Sequence, residues 1–257
     1  MHEIIFIFSA LLVFWIIFFW RMQVWPKISG AKTHYKSRGG MPELEAWVNV
    51  PTSKESLRLH LKSMRRERAS LQKTTGFSGF VLRRIAVRER KKLCENILTA
   101  LEKYSPLTIA AYLPMPGEAD ITPAMESLHQ RGWQVVLPCI EGTNTHLHFR
   151  IWHPEQPLIR GAHKIMQPAS DAAEAIPHIV LVPMLGFDQA GHRLGMGAGW
   201  YDRTLQALNA RDLHPELYGI AFDEQELAHI ETEPHDYSMD RIITATRILE
   251  SRPILKS

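Results

Sequence analysis

Helical spacing of apolar residues appears first once the chain passes residue 51. Leu57, Leu61, Met64 and Leu71 recur at three-, four- and seven-residue steps, with Lys54, Arg58, Lys62, Arg65, Arg66 and Arg68 on the other faces and Thr52 or Ser53 as cap. A second helix over about 78–103 repeats the theme with Leu82, Ile85, Leu93, Ile97 and Leu101. The rhythm then changes to short apolar runs at 107–113, 134–137, 147–152, 179–183, 217–222 and 242–244, which read as strands. Helices are expected between them, one over 122–131 with Pro123 near its first turn and one opening at Gly199 or Trp200. Buried runs alternating with amphipathic helices predict a three-layer α/β domain over 51–257 with a mostly parallel sheet. Ligands of such sheets collect at the carboxyl ends of the strands.

Residues 4–20 behave differently, since they are apolar and free of charge. As a helix they would reach about 26 Å, just short of a hydrocarbon core of roughly 30 Å. Arg21, Lys27, Lys32, Lys36 and Arg38 follow, so a spanning segment would leave the rest of the chain in the cytoplasm. A signal peptide fits less well, because no basic residue precedes the run and no small-x-small site follows it. Met41 offers a competing reading, in which the protein starts there and the first forty residues are never made. The chain therefore divides into a hydrophobic segment and linker, 1–50, and a globular domain, 51–257.

Composition narrows the picture further. With 45% apolar and 22% charged positions, the chain can bury one substantial core. A net charge of +3 demands neither nucleic acid nor membrane, and the basic residues of the first two helices read as solvated faces without an aromatic platform. Cys94 and Cys139 stand far apart, which argues against a disulfide framework or zinc ribbon and for buried thiols in a reducing compartment.

The junction between the run at 179–183 and the following helix holds most of the candidate chemistry. Gly195, Gly197 and Gly199 alternate ahead of a helix start, which lets backbone N–H groups turn toward an anion. Their spacing is neither Gly-x-Gly-x-x-Gly nor a Walker loop, so alone it reads equally well as a flexible connection. Ala198 is strained if that position needs a positive φ. Asp202 is placed to hold a metal ion beside bound phosphates. Lys54 and Arg58 lie four apart on one helical face and can converge on a polyphosphate, although any surface helix offers such pairs. Asp120 suits a cap for the helix entered at Thr122. His146 and His148 share a strand face with His153 nearby, yet no third zinc ligand is readable from the spacing. No Gly-x-Ser-x-Gly elbow supports serine hydrolysis.

The run Arg193-Leu194-Gly195-Met196-Gly197-Ala198-Gly199-Trp200-Tyr201-Asp202-Arg203 resembles the Arg-Leu-Gly-x-Gly-x-Gly-aromatic-Tyr-Asp-Arg signature of 5-formyltetrahydrofolate cyclo-ligases, also called methenyltetrahydrofolate synthetases. It departs from the commonest form at Met196, often Arg, at Ala198, often Gly, and at Trp200, often Tyr or Phe. Lys54-x-x-Leu57-Arg58, the stretch 112–122 and the stretch 233–244 resemble further blocks of the same family, in family order. The resemblance implies a Rossmann-like α/β/α sandwich and ATP- and Mg²⁺-dependent closure of 5-formyltetrahydrofolate to 5,10-methenyltetrahydrofolate, with release of ADP and phosphate. It implies nucleotide contacts from Lys54, Arg58, Arg193, Leu194, Gly195, Met196, Gly197, Ala198, Gly199, Trp200 and Tyr201. Folate would meet Met115, Glu118, Trp200 and Tyr201, with Glu118, Arg193 and Tyr201 in the chemistry. Asp202 and Asp236 would hold magnesium, with Asp240 a rival for the second place. The expected partners are these two small molecules and no nucleic acid, on a cytoplasmic monomer that is membrane-anchored if 4–20 is present. A sugar-phosphate isomerase or acyl-transferase of similar architecture is the alternative, as is a membrane-tethered basic module that binds nucleic acid.

Overall fold

A computed structural model describes residues 53–142, 145–162, 165–233 and 236–251. The apolar run at 4–20, the alternative start at Met41 and the linker to residue 50 lie outside these residues. Among the described residues, no helix is long and apolar enough to cross a membrane.

Ser53 caps α1 (Lys54–Leu71), its Oγ accepting from the Ser56 N–H at 3.2 Å. The second helix, α2 (Gly76–Leu101), starts and ends two residues earlier than its pattern suggests. Next come β1 (Thr108–Ala110), α3 (Thr122–Gln130), β2 (Gln134–Cys139) and β3 (His148–Ile151). Asp120 serves the α3 entry as expected, accepting from the Thr122 N–H at 3.0 Å, and it also pairs with Arg90. The chain continues through β4 (Ile159–Arg160), β5 (Met166–Gln167), β6 (Ile179–Pro183), β7 (Gly186–Phe187), β8 (Arg193–Leu194), α4 (Trp200–Asn209), β9 (Glu216–Ile220), β10 (Arg241–Ile243) and β11 (Ile248–Glu250).

The main sheet has seven strands in the order β11-β10-β9-β6-β1-β2-β3. Its inner pairs, β10–β9, β9–β6, β6–β1 and β1–β2, are all parallel, and the edge strands β3 and β11 are antiparallel to their neighbours. β1 is shorter than its apolar run, since only Thr108–Ala110 pair as a strand before the chain leaves toward Pro114. Alternation along the strands feeds two cores, as the pleat requires. Ile109, Val135, Leu181 and Ile220 face α2 and α3, where Leu93, Ile97, Met125 and Leu128 meet them. Ala110, Val136, Val182 and Leu217 face the other way, toward Leu205 and Leu208 of α4. This is the expected three-layer α/β/α sandwich. Cys94 and Cys139 are free and buried.

The tight hairpins β4–β5 and β7–β8 carry no signal in the period-two pattern, because each strand is only two residues long. The second hairpin matters most for the site. It interrupts the connection from β6 to α4 and gives α1 a floor, where Leu57 and Leu61 bury against Leu185, Leu194, Leu227 and Ile230. An amino-terminal helix is thereby placed over the carboxyl ends of β6 and β9.

Candidate active site

The glycine loop runs from the end of β8 into α4, rather than directly from β6 as the sequence suggests. Gly197 has φ +95° and Gly199 has φ +66°, so both occupy the left-handed region that favours glycine. Gly199 is also the N-cap residue of α4, and its left-handed turn brings the loop onto the helix start. Ala198 is free of the strain considered above, because the one non-glycine residue with positive φ among those described is Asp212. Arg203 supports the loop from behind, donating to the Ala198 carbonyl at 2.9 Å and to the Thr145 carbonyl at 3.2 Å. Its guanidinium lies 5.0 Å from the Trp200 ring centre.

The side chains of α1 meet this loop from above. Arg58 donates through Nε to the Gly195 carbonyl at 3.2 Å. Lys54, one turn earlier, reaches Asp236 Oδ2 at 2.7 Å and Glu233 Oε1 at 2.9 Å. Burial pulls the Lys54 pKa down, but the hydrogen bonds and charges of Asp236 and Glu233 outweigh it and leave the ammonium above its ordinary value. Asp236 is further fixed by the Glu233 N–H, which donates to Oδ2 at 2.8 Å. On the loop itself Arg193 pairs with Asp202, and its guanidinium sits 5.9 Å from the Tyr201 ring centre.

The second predicted loop arrives from the end of β1. Glu118 accepts from the Met115 N–H at 2.8 Å and from Arg65 Nη1 at 2.9 Å. Burial raises the Glu118 pKa, and Arg65 together with the Met115 N–H offsets part of that rise. The Tyr112 hydroxyl donates to the Ala119 carbonyl at 2.9 Å and ties the loop to β1. Burial, and then the nearby Glu118, push the Tyr201 phenol well above its ordinary range.

These groups line one cleft of about 340 Å³. Lys54, Arg58, Met115, Glu118, Arg193, Asp202 and Asp236 face it, as do Gly195, Met196, Gly197, Ala198, Gly199, Trp200 and Tyr201. Leu194 is the exception among the expected nucleotide contacts. Its side chain is 1% exposed and packs beneath α1 with Leu57 and Leu61, because β8 alternates and sends its second residue inward. Asp240, the expected rival to Asp236, does not line the cleft. It accepts from the Leu217 N–H at 2.7 Å at the start of β9, the end of the sheet away from the cleft.

Three contributors escaped the sequence reading. Arg65 stands seven residues after Arg58 on the same face of α1, a spacing that could have revealed it. It donates to the Pro116 carbonyl at 3.1 Å as well as to Glu118, and Nη1 contacts the Met196 sulfur at 3.4 Å. Glu233 adds a third carboxylate near Asp236, and Ile140, Leu147, Ile165 and Met166 supply an apolar wall. No local pattern signals that wall, since it joins the end of β2 to the β4–β5 hairpin. His148 groups with Glu141 and Glu174 and stacks on His146, their ring centres 4.9 Å apart, while His153 lies against His129. Arg150 pairs with Glu141 there and already supplies the positive charge.

The residue types suit a polyanion on one side and a flat heterocycle on the other. Cations and loop N–H groups meet phosphate, carboxylates accept N–H bonds or hold a divalent ion, and aromatic and aliphatic side chains cover ring faces. Comparison with known proteins gives the same direction. The model of the 5-formyltetrahydrofolate cyclo-ligase family matches residues 50–245. The 5-formyltetrahydrofolate cyclo-ligase of Escherichia coli K12 is 29% identical over 177 residues, covering 65% of this chain and 96% of that protein. The Saccharomyces cerevisiae enzyme of the same name is 29% identical over 182 residues, covering 62% of this chain and 85% of that protein. The fold is shared with two 5,10-methenyltetrahydrofolate synthetases of known structure. That of Aquifex aeolicus has a TM-score of 0.57 and 24% identity, covering 77% of this chain and 93% of its own. That of Mycoplasma pneumoniae has a TM-score of 0.55 and 21% identity, covering 76% and 99%. A match across most of the globular domain, on a chain whose cleft carries the signature residues, makes this protein a member of the 5-formyltetrahydrofolate cyclo-ligase family, a family of enzymes.

Proposed function

We propose that the chain closes 5-formyltetrahydrofolate to 5,10-methenyltetrahydrofolate, converting ATP to ADP and phosphate with Mg²⁺. The observation that carries this reading is the convergence of the glycine loop, the basic face of α1, Glu118 and the carboxylates Asp202 and Asp236 on one cleft. The chemistry explains why ATP is consumed. The formyl oxygen at N5 belongs to an amide and is a poor leaving group, so attack by N10 on the formyl carbon stalls. Transfer of the γ-phosphoryl group to that oxygen turns it into phosphate on departure, and N10 gives up its proton as the ring closes.

Lys54, Arg58, Arg193 and the N–H groups of residues 195–199 hold the triphosphate in this reading. Asp202 and Asp236 suit magnesium, which normally takes one or two carboxylates together with phosphates and waters. When bound, that ion neutralises charge on the phosphates. Glu118 accepts N–H bonds from the reduced pterin, and Met115, Trp200 and Tyr201 cover its ring. Arg65 positions Glu118.

The test is direct. Purified protein is supplied with 5-formyltetrahydrofolate, ATP and Mg²⁺, and methenyl absorbance is followed beside ADP. Both products should rise in equal amounts, and neither should form when either substrate is omitted. ADP release indifferent to the folate would sink the proposal, and turnover without ATP would favour the isomerase or acyl-transferase reading.

A further inference from the structure

The apolar wall of the cleft has no task in the function proposed above. Ile140 comes to it from just past the end of β2, Leu147 from just ahead of β3, and Ile165 and Met166 from the β4–β5 hairpin. A hairpin of two-residue strands has little pairing of its own to fix it in place. Gln167 supplies the missing attachment. Alternation along β5 sends Met166 to the cleft and Gln167 inward, where it is 6% exposed and its Oε1 accepts from the Ile140 N–H at 3.3 Å. The same side chain lies against Gly161, whose N–H donates to the Ile165 carbonyl at 2.8 Å. A Cβ at residue 161 would collide with Oε1 and Cδ of Gln167. Gly161 is not among the glycines with positive φ, so the position needs glycine for space and not for backbone freedom. A buried amide spent on the neighbouring wall segment, and a glycine that makes room for it, mark a joint built to hold the hairpin against β2.

We propose that Gln167 is a positioning residue for the folate, holding Ile165 and Met166 beside Ile140 and Leu147 as the surface that takes the aryl ring carried by N10. The proposal rests on the function proposed above. The wall continues from the side chains that cover the pterin in that reading, since Leu147 belongs to the apolar cluster on which Ile165, Trp200 and Tyr201 pack. In 5-formyltetrahydrofolate a single methylene separates the pterin from N10, so the aryl ring on N10 lies beside whatever covers the pterin. Adenine is the other flat ring in the reaction, but its edge carries nitrogen donors and acceptors. The four wall side chains offer it no N–H or oxygen, whereas a benzoyl ring presents C–H edges that suit them.

Steady-state kinetics of the full chain test this with three variants. Gln167→Met keeps the length of the side chain and removes the acceptor, Gln167→Glu keeps an oxygen for the Ile140 N–H, and Gly161→Ala displaces Gln167 from the opposite strand. Gln167→Met and Gly161→Ala should each raise the KM for 5-formyltetrahydrofolate roughly tenfold, the scale of a misfitted apolar pocket. Their kcat and their KM for ATP should stay within about twofold of the parent, as when binding common to ground and transition states is lost. Gln167→Glu should return the folate KM to within about threefold of the parent. 5-Formyltetrahydropteroate, which lacks the glutamate, should suffer the same rise as the folate. A rise in the ATP KM would put adenine on the wall, and an effect absent with the pteroate would put the glutamate there; either overturns the proposal. So would a joint that only holds the fold, seen as loss of folding in both Gln167→Met and Gly161→Ala or as an equal defect in Gln167→Glu. A parent that forms no methenyl product sinks the proposed function and this proposal with it, whereas a working parent beside unmoved variants sinks this proposal alone.

Discussion

Both ends of the central sheet carry carboxylates, and the donors that hold them differ in kind. At the amino end, Asp240 accepts from the Leu217 N–H, and Glu216 accepts from the hydroxyls of Tyr104 and Tyr218. Burial raises the Glu216 pKa, but those hydroxyls outweigh it and leave the group below its ordinary value. These donors are backbone or core side chains with no other place to go. At the carboxyl end, Asp236, Asp202 and Glu118 are held by Lys54, Arg193 and Arg65, whose long side chains also line the cleft. Each of these pairs is charge-assisted, so a cation that leaves its carboxylate for a phosphate keeps a bond of the same kind. The contrast separates carboxylates that hold the fold from carboxylates that, in the proposed function, keep the phosphate-binding cations in place.

Substitutions at the two ends should therefore break different things. Asp202→Asn should lower methenyl formation by about a hundredfold or more, since it removes charge needed beside the phosphates. Its thermal midpoint should stay close to the parent's, and unchanged turnover would remove the residue from the site. Arg65→Ala should cost roughly tenfold in kcat/KM, the scale of a lost positioning contact. It should also move the acid limb of the pH–rate profile. Burial already raises the Glu118 pKa and Arg65 opposes that rise, so without Arg65 the carboxylate takes its proton at a higher pH and activity fails earlier on acidification. A limb that stays put or moves down would break the link between Arg65 and Glu118.

Gly199→Ala should destabilise the fold by about 1–2 kcal/mol because a Cβ is disfavoured in the left-handed region. Its Cβ would also meet Arg203 Nη1 at 2.8 Å. Ala198→Gly, one residue away with ordinary φ, should cost no more than about 1 kcal/mol, and chemical denaturation of both chains checks the contrast. Asp240→Ala should give the smallest effect of all on catalysis. It leaves the Leu217 N–H without its acceptor and should cost about 1 kcal/mol of stability, with steady-state rates unchanged. A large loss of activity there would erase the distinction between the two ends.

Legibility in the sequence followed the range of the forces involved. The helix over Lys54–Leu71 and the run Ile179–Pro183 were readable because each declares its period among near neighbours. Gly197 and Gly199 were readable as a special loop, since positive φ is a demand of the backbone itself. The β7–β8 hairpin was not, because two-residue strands have no period to detect. Arg65 looked like any basic residue on a solvated helix until the turn at residues 113–118 was brought beneath it.

The sequence alone determined the main helices and the inner strands, their α/β order and the types of residue available for the site. Tertiary structure decided which of them share the cleft. Leu194 turned inward as a floor for α1, Asp240 went to the far end of the sheet, and Glu118 gained Arg65 as its partner. The reason is physical: a backbone's preference is set within a few residues, whereas the partner of a side chain is whatever packing carries to it from elsewhere in the chain.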